Sequence, residues 1–201
     1  MAMPAIRRRW TAPEVRALMD ETRAWPRYEL IDGDLIVTPA PGTLHQIAVT
    51  ELWAALSPYV DAEGVGVTLI SPADLELEEG KITQPDVFVA APARGPHHGQ
   101  PFTWGDVRSL LVALEVISPS SIRSDRVTKR KFYLRVGVPE YWVADLDART
   151  IERWTPRRKT PAVLRSALEW QAPGAAAPLV LDLPDLFDRI WTKWHRLRGG
   201  P

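Results

Sequence analysis

Two acidic residues sit where acids are costly to place. Asp86 opens the apolar run Pro85-Asp86-Val87-Phe88-Val89, and Glu115 interrupts the longer apolar run from Leu110 to Ile117. A carboxylate inside a buried strand loses its hydration and must be paired, protonated or bound to a cation. Taken singly, each acid reads as a salt-bridged or edge residue. Taken together on neighbouring strands, they offer the hard oxygen ligands that Mg²⁺ requires, with waters and a substrate phosphate completing the octahedron. A third feature is the basic stretch from Arg123 to Arg135, six cations against Asp125 alone. Helical spacing puts Arg126, Lys129, Arg130 and Tyr133 on one face. That face is either a solvated basic surface or a set of cations aimed at Glu115, since it starts only a few residues after the acidic strand. A cation beside a metal–carboxylate pair can position water and stabilise charge developing on phosphorus.

The elements that must carry these residues can be read from caps, turns and periodicity. Thr11-Ala12-Pro13-Glu14 combines an N-cap, an early proline and a capping-box acid, starting a helix to about Arg23. Asp32-Gly33 between β-prone runs predicts a hairpin over Tyr28 to Val37. Thr43 to Gln46 reads as a second capping box, followed by helical spacing from Leu44 to Leu56. Strand-like segments follow at Gly66–Ile70, Asp74–Glu78 and Ile82–Ala90, and residues 92–104 read as a loop. Within that loop His97 and His98 have no third ligand at metal spacing. The Leu110–Ile117 run predicts a central strand buried on both faces. Ser124 or Asp125 should cap a helix to Val136, and Tyr141–Ala144 with Thr150–Trp154 should form a hairpin. Residues 156–178 are poorly patterned, and a last amphipathic helix carries Leu186, Phe187, Ile190, Trp191 and Trp194.

Composition bounds what such a chain can do. Its 201 residues suit one domain with a core of its own. Lys+Arg and Asp+Glu each number 25, so no global field draws it to nucleic acid or anionic lipid. Any nucleic-acid role must rest on a local patch. The absence of cysteine excludes disulfides, thiolate metal sites and cysteine nucleophiles. No stretch approaches a membrane span, and no apolar run follows Arg7-Arg8-Arg9 as a signal peptide would need. The expected location is cytoplasmic.

In order and spacing, several blocks resemble the Uma-type restriction endonuclease family of the PD-(D/E)XK nuclease superfamily. They are Tyr28-Glu29-Leu30-Ile31-Asp32-Gly33, His45-Gln46, Pro85-Asp86-Val87, Glu115 to Ser120, Asp125 to Lys129 with Tyr133, and Gly137 to Asp145. The resemblance runs from about Thr11 to Phe187. It implies an α/β (α+β) fold: a restriction endonuclease-like mixed sheet flanked by helices, with an N-terminal helix and β-hairpin added. Residues 1–201 would form a single domain with its core at about 11–187. It further implies that Asp86 and Glu115 bind the metal, Mg²⁺ or Mn²⁺. The superfamily lysine normally follows the second acid by two residues, where this chain has Ile117, so Lys129 resembles a migrated lysine. Glu29 would be the acid that precedes the proline–aspartate strand. His45, otherwise a surface or capping residue, would contact substrate or water, and Arg126 and Arg130 would bind the substrate.

The leading expectation is therefore a Mg²⁺-dependent endonuclease hydrolysing phosphodiester bonds, most readily in DNA. The alternative is a nuclease-fold module with weak or absent catalysis, acting as a nucleic-acid or protein adaptor. A third reading is an oligomeric scaffold. Trp191 and Trp194 on the last helix suggest a homodimer in any of these cases.

Overall fold

The computed structural model describes residues 8–22, 25–92 and 102–200. A six-stranded mixed sheet organises them, in the order β3-β4-β5-β6-β7-β8. The strands are β3 (Val67–Ile70), β4 (Val87–Ala90), β5 (Leu110–Val116), β6 (Glu140–Asp145), β7 (Thr150–Trp154) and β8 (Ala162–Leu164). All neighbours are antiparallel except β5 and β6, which run parallel and are joined through helical residues 122–135. Two hairpins stand apart from this sheet: β1 (Arg27–Ile31) with β2 (Asp34–Thr38), and β9 (Ala167–Trp170) with β10 (Leu179–Asp182). Four α-helices complete the chain: α1 (Ala12–Glu21), α2 (Thr43–Glu63), α3 (Arg130–Arg135) and α4 (Leu183–Leu197).

Period-2 alternation sorts the sheet into two apolar faces, because both are covered. Val87, Val89, Val112, Leu114, Val116, Trp142, Ala144 and Ile151 pack under α2 and α4. Phe88, Ala90, Leu110, Ala113, Tyr141, Val143 and Trp154 pack with Phe132 and Tyr133 of α3 and Ile31 of β1. Phe88 pairs with Ala113 across β4 and β5. Asp86 stands two residues before Phe88 and Glu115 two after Ala113, so the pleat puts both acids on the α3 face. Gly66 allows the approach to β4, since a Cβ there would lie 2.3 Å from the Ala90 carbonyl oxygen. The Trp53 indole N–H donates to the Thr68 carbonyl oxygen at 3.0 Å, covering part of the edge strand β3.

Several boundaries differ from the sequence reading. The Thr11–Glu14 capping box forms, whereas the second one does not: Gly42 is the N-cap of α2 and Thr43 lies inside its first turn. Residues 74–78 and 82–86 are not strands. They meet in the isolated bridges Leu75–Thr83 and Leu30–Ile82, because that region feeds the site instead of the sheet. Neither Ser124 nor Asp125 caps a helix. The backbone is already helical at Arg123, and residues Ser124–Lys129 form a π-helical stretch leading into α3. The poorly patterned 156–178 region supplies β8 and β9. Most of the 92–104 loop, including His97 and His98, lies outside the described residues, and Trp104–Asp106 closes it as a 3₁₀ turn. Trp191 and Trp194 find partners within the chain: Trp191 packs on the α2/α4 core and Trp194 lies under the Arg198 guanidinium. No helix among the described residues is long and apolar enough to cross a membrane.

Candidate active site

The pleat, one bridge and one helical turn bring four acids and one lysine together. Lys129 Nζ lies 2.7 Å from Glu29 Oε2, 3.2 Å from Glu115 Oε1 and 3.6 Å from Asp125 Oδ1. Glu29 comes from β1, whose hairpin is docked on the sheet through the Leu30–Ile82 bridge. Its other oxygen accepts the Gln84 backbone N–H at 2.8 Å. Gln84 stands two residues before Asp86, so this bond ties the hairpin to the strand that carries the second site acid. Asp86 Oδ2 accepts the Val116 backbone N–H at 2.9 Å and lies 3.0 Å from His45 Nε2, in the first turn of α2. His45 Nδ1 is buried without a partner among the described residues.

The π-helical stretch decides which side chains of the basic segment face this cluster. Its wider turn sends Asp125 and Lys129 inward together. The Tyr141 hydroxyl fixes the turn by donating to the Asp125 carbonyl oxygen at 2.9 Å. Arg126 turns the other way, to Asp145 (2.9 Å) and Glu152 (2.8 Å), and Arg130 lies over the Trp154 ring at 4.3 Å. The expectation that Arg126, Lys129, Arg130 and Tyr133 share one working face is corrected accordingly. Lys129 and Tyr133 are buried beside Glu115, while the two arginines fasten the segment to β6 and β7.

Burial dominates the electrostatics. It pushes the Glu115 carboxyl well above the usual range against the pull of Lys129, with Asp86, Asp125 and Glu29 adding to the rise. Glu29 and Asp125 are raised for the same first reason. Asp86 is the exception: burial raises it, but the His45 contact, the Lys129 charge and the Val116 N–H outweigh this and hold it low. Desolvation pulls Lys129 down, yet Glu115, Glu29 and Asp125 together lift it well above an ordinary lysine. The site is thus four carboxyl groups around one permanent ammonium, with negative charge in excess.

These groups line a cleft of about 170 Å³, bounded by Trp25, Arg27, Pro39 to Gly42 and Ser118 to Ser121. A larger apolar hollow beside β3 lacks any such cluster. Among the described residues no three Asp, Glu or His side chains stand ready as a metal cage. Lys129 occupies that part of the cleft as counter-ion to Glu29, Glu115 and Asp125. The donor chemistry nevertheless fits a hard divalent cation: Asp86 and Glu115 share one sheet face, and Lys129 is Glu115's sole hydrogen-bond donor among the described residues.

Sequence reasoning named Glu29, His45, Asp86, Glu115 and Lys129, all of which the structure places in the cleft. It missed Asp125 as a site acid, Gln84 as the tie between Glu29 and the Asp86 strand, and Arg27 and Trp25 at the rim. Asp125 is i−4 from Lys129 and Arg27 is i−2 from Glu29; those offsets were the available signals.

A family model described as "Uma2: Putative restriction endonuclease" matches residues 13–186. A solved structure similar in fold is "a putative nuclease belonging to DUF820" from Anabaena variabilis ATCC 29413. It has 21% sequence identity and a TM-score of 0.70, covering 90% of this chain and 99% of that one. The architecture is thus that of a nuclease-like α/β protein. No curated protein matches the chain.

Proposed function

Because the chain belongs to the Uma2 family, we propose that it is a metal-dependent endonuclease hydrolysing phosphodiester bonds in DNA at the Asp86–Glu115–Lys129 cleft. One observation carries this reading: Glu29, Glu115 and Asp125, from a hairpin, the central strand and a helical turn, surround the single ammonium of Lys129 in the cleft that also holds Asp86. Asp86, Glu115 and the Val116 carbonyl would hold Mg²⁺ or Mn²⁺. When bound, such an ion supplies Lewis-acid polarisation of the phosphate and a more acidic water.

The chain's own residues do the rest. Lys129 keeps its proton at any working pH, so it orients water and stabilises charge growing on the phosphoryl oxygens, and it is not a general base. Glu29 and Asp125 hold that ammonium in place. His45 and the Val116 N–H hold Asp86 ionised and oriented. Cleavage of this kind leaves 5′-phosphate ends. The span of the family match supports one domain with its core at about residues 11–187.

The adaptor reading draws on the neutral net charge and on the commitment of Arg126 and Arg130 to intramolecular partners. Incubating the purified chain with DNA or RNA in Mn²⁺, Mg²⁺ or EDTA separates the two. Cleavage of DNA that needs metal and is abolished by Asp86→Ala supports the nuclease. Binding without cleavage supports the adaptor, and cleavage of RNA alone overturns the assignment of DNA.

A further inference from the structure

Arg27 is the cation lining the cleft that no acid holds. It lies on β1 two residues before Glu29, so the two side chains share one face of the hairpin, with attachment points about 6.5 Å apart. Its guanidinium rests on the Trp25 ring at 4.4 Å. No carboxylate or carbonyl among the described residues accepts from it, and its Nε is buried without a hydrogen-bond partner. The other basic side chains lining the cleft are engaged, Lys129 with three acids and His45 with Asp86, and Arg126 and Arg130 on the adjoining helical segment are held by Asp145, Glu152 and Trp154.

A buried donor left unmatched is costly and calls for an acceptor. Four acids line the same cleft, yet Arg27 pairs with none of them and rests on the Trp25 ring. A guanidinium is planar, and one held over a ring presents its remaining N–H groups in a rigid fork, the shape that meets two oxygens of a phosphate. The spacing from Glu29 corresponds to one or two nucleotides at about 3.4 Å rise per nucleotide.

Resting on the nuclease reading, we propose that Arg27 binds a DNA backbone phosphate one or two nucleotides from the scissile one, with Trp25 as its platform. Arg27 thereby sets the register of the strand in the cleft and takes no part in the bond-breaking step.

Arg27→Gln, which keeps the size and removes the charge, is compared with wild type in DNA cleavage with Mn²⁺ and in DNA binding across a salt series in Ca²⁺. KM and Kd should rise about tenfold with kcat within about twofold, and the salt slope should shrink by about 0.7–0.9. Arg27→Lys should restore the slope but only part of the affinity. A second measurement rests on the wild-type chain, with Arg27→Gln as its comparison. Single neutral methylphosphonates are walked along the strand. One position near the cut should weaken wild type by the same factor and leave Arg27→Gln indifferent. Unchanged Kd and slope in Arg27→Gln, or no such position, overturns the role of Arg27 while leaving the nuclease reading intact. A wild-type chain that neither binds nor cuts DNA removes both.

Discussion

Lys129 and Glu115 form the pair on which the site's chemistry turns. Lys129 is buried with three carboxyl neighbours, so its ammonium is fixed in charge and in place. Lys129→Ala should therefore cut the cleavage rate by about 100-fold or more. Metal affinity should hold or rise, because a competing cation has left the carboxylates. Lys129→Arg should recover little, since a planar guanidinium does not fit the space of a compact ammonium. Single-turnover cleavage with a parallel metal titration checks both. Glu115 titrates in the opposite sense. Its folded carboxyl is raised above the ordinary 4.5, so the fold favours the protonated form. The corresponding stability is full below the unfolded value and is lost as pH rises through the folded one. The metal-free chain should thus melt at progressively lower temperature as pH climbs above about 4.5. Glu115→Gln, neutral throughout, should melt higher than wild type near neutral pH and show a flatter profile. Asp86 contributes the reverse trend at the acid end: its folded carboxyl is lowered from 3.8, and its contribution disappears as pH falls through that lowered value.

At the scale of elements, the π-helical stretch Ser124–Lys129 explains both a success and a failure of sequence reading. Lys129 could be placed in the site, but a 3.6-residue period puts Arg126 beside it. The wider turn separates them, while Asp125, at i−4, stays on the Lys129 face. Arg126 then serves the fold. Its ion pairs to Asp145 and Glu152 are partly shielded and join the helical segment to the β6–β7 hairpin. Arg126→Ala should cost about 1–2 kcal/mol, a fall in Tm of a few degrees, while leaving the salt slope of DNA binding unchanged. A flattened slope would return Arg126 to the substrate. Elements with strong local signals were legible: the capping box at Thr11, the Asp32-Gly33 turn with φ of 52° and 83°, and the two-sided apolar run of β5. Residues 74–86 were not, because alternating patterns there serve two isolated bridges, Leu75–Thr83 and Leu30–Ile82, and not a ladder. No local rule distinguishes those two uses of an extended backbone. Asp86 and Glu115 could be picked out because an acid inside an apolar run is anomalous, whereas Glu29 followed from the family resemblance and Asp125 was missed. Gln84 could not be picked out, because its role exists only once β1 is docked against the strand carrying Asp86.

The distribution of charge over the whole molecule gives the cleft its dependence on metal. Net charge is zero, so long-range attraction does not bring a polyanion to the surface. The cleft itself is worse than neutral for DNA: Glu29, Asp86, Glu115 and Asp125 face Lys129, His45 and Arg27. Burial favours the protonated form of Glu115 in the metal-free state, and the remaining carboxylates repel an approaching phosphate. A divalent cation held by Asp86 and Glu115 would compete with protonation of Glu115 and cancel the negative excess of the cleft in one step. DNA affinity should accordingly be conditional. A labelled duplex followed by anisotropy should bind at least about tenfold more tightly in Ca²⁺ or Mg²⁺ than in EDTA. Metal addition should release protons into a weakly buffered solution. The same ion should raise Tm in a concentration-dependent way, as binding to the folded chain requires. Asp86→Asn should remove all three responses together while leaving the Tm in EDTA close to wild type, since the Val116 N–H and His45 can still be met by an amide oxygen. Equal DNA affinity with and without divalent ions would mean that the acids of the cleft serve the fold alone.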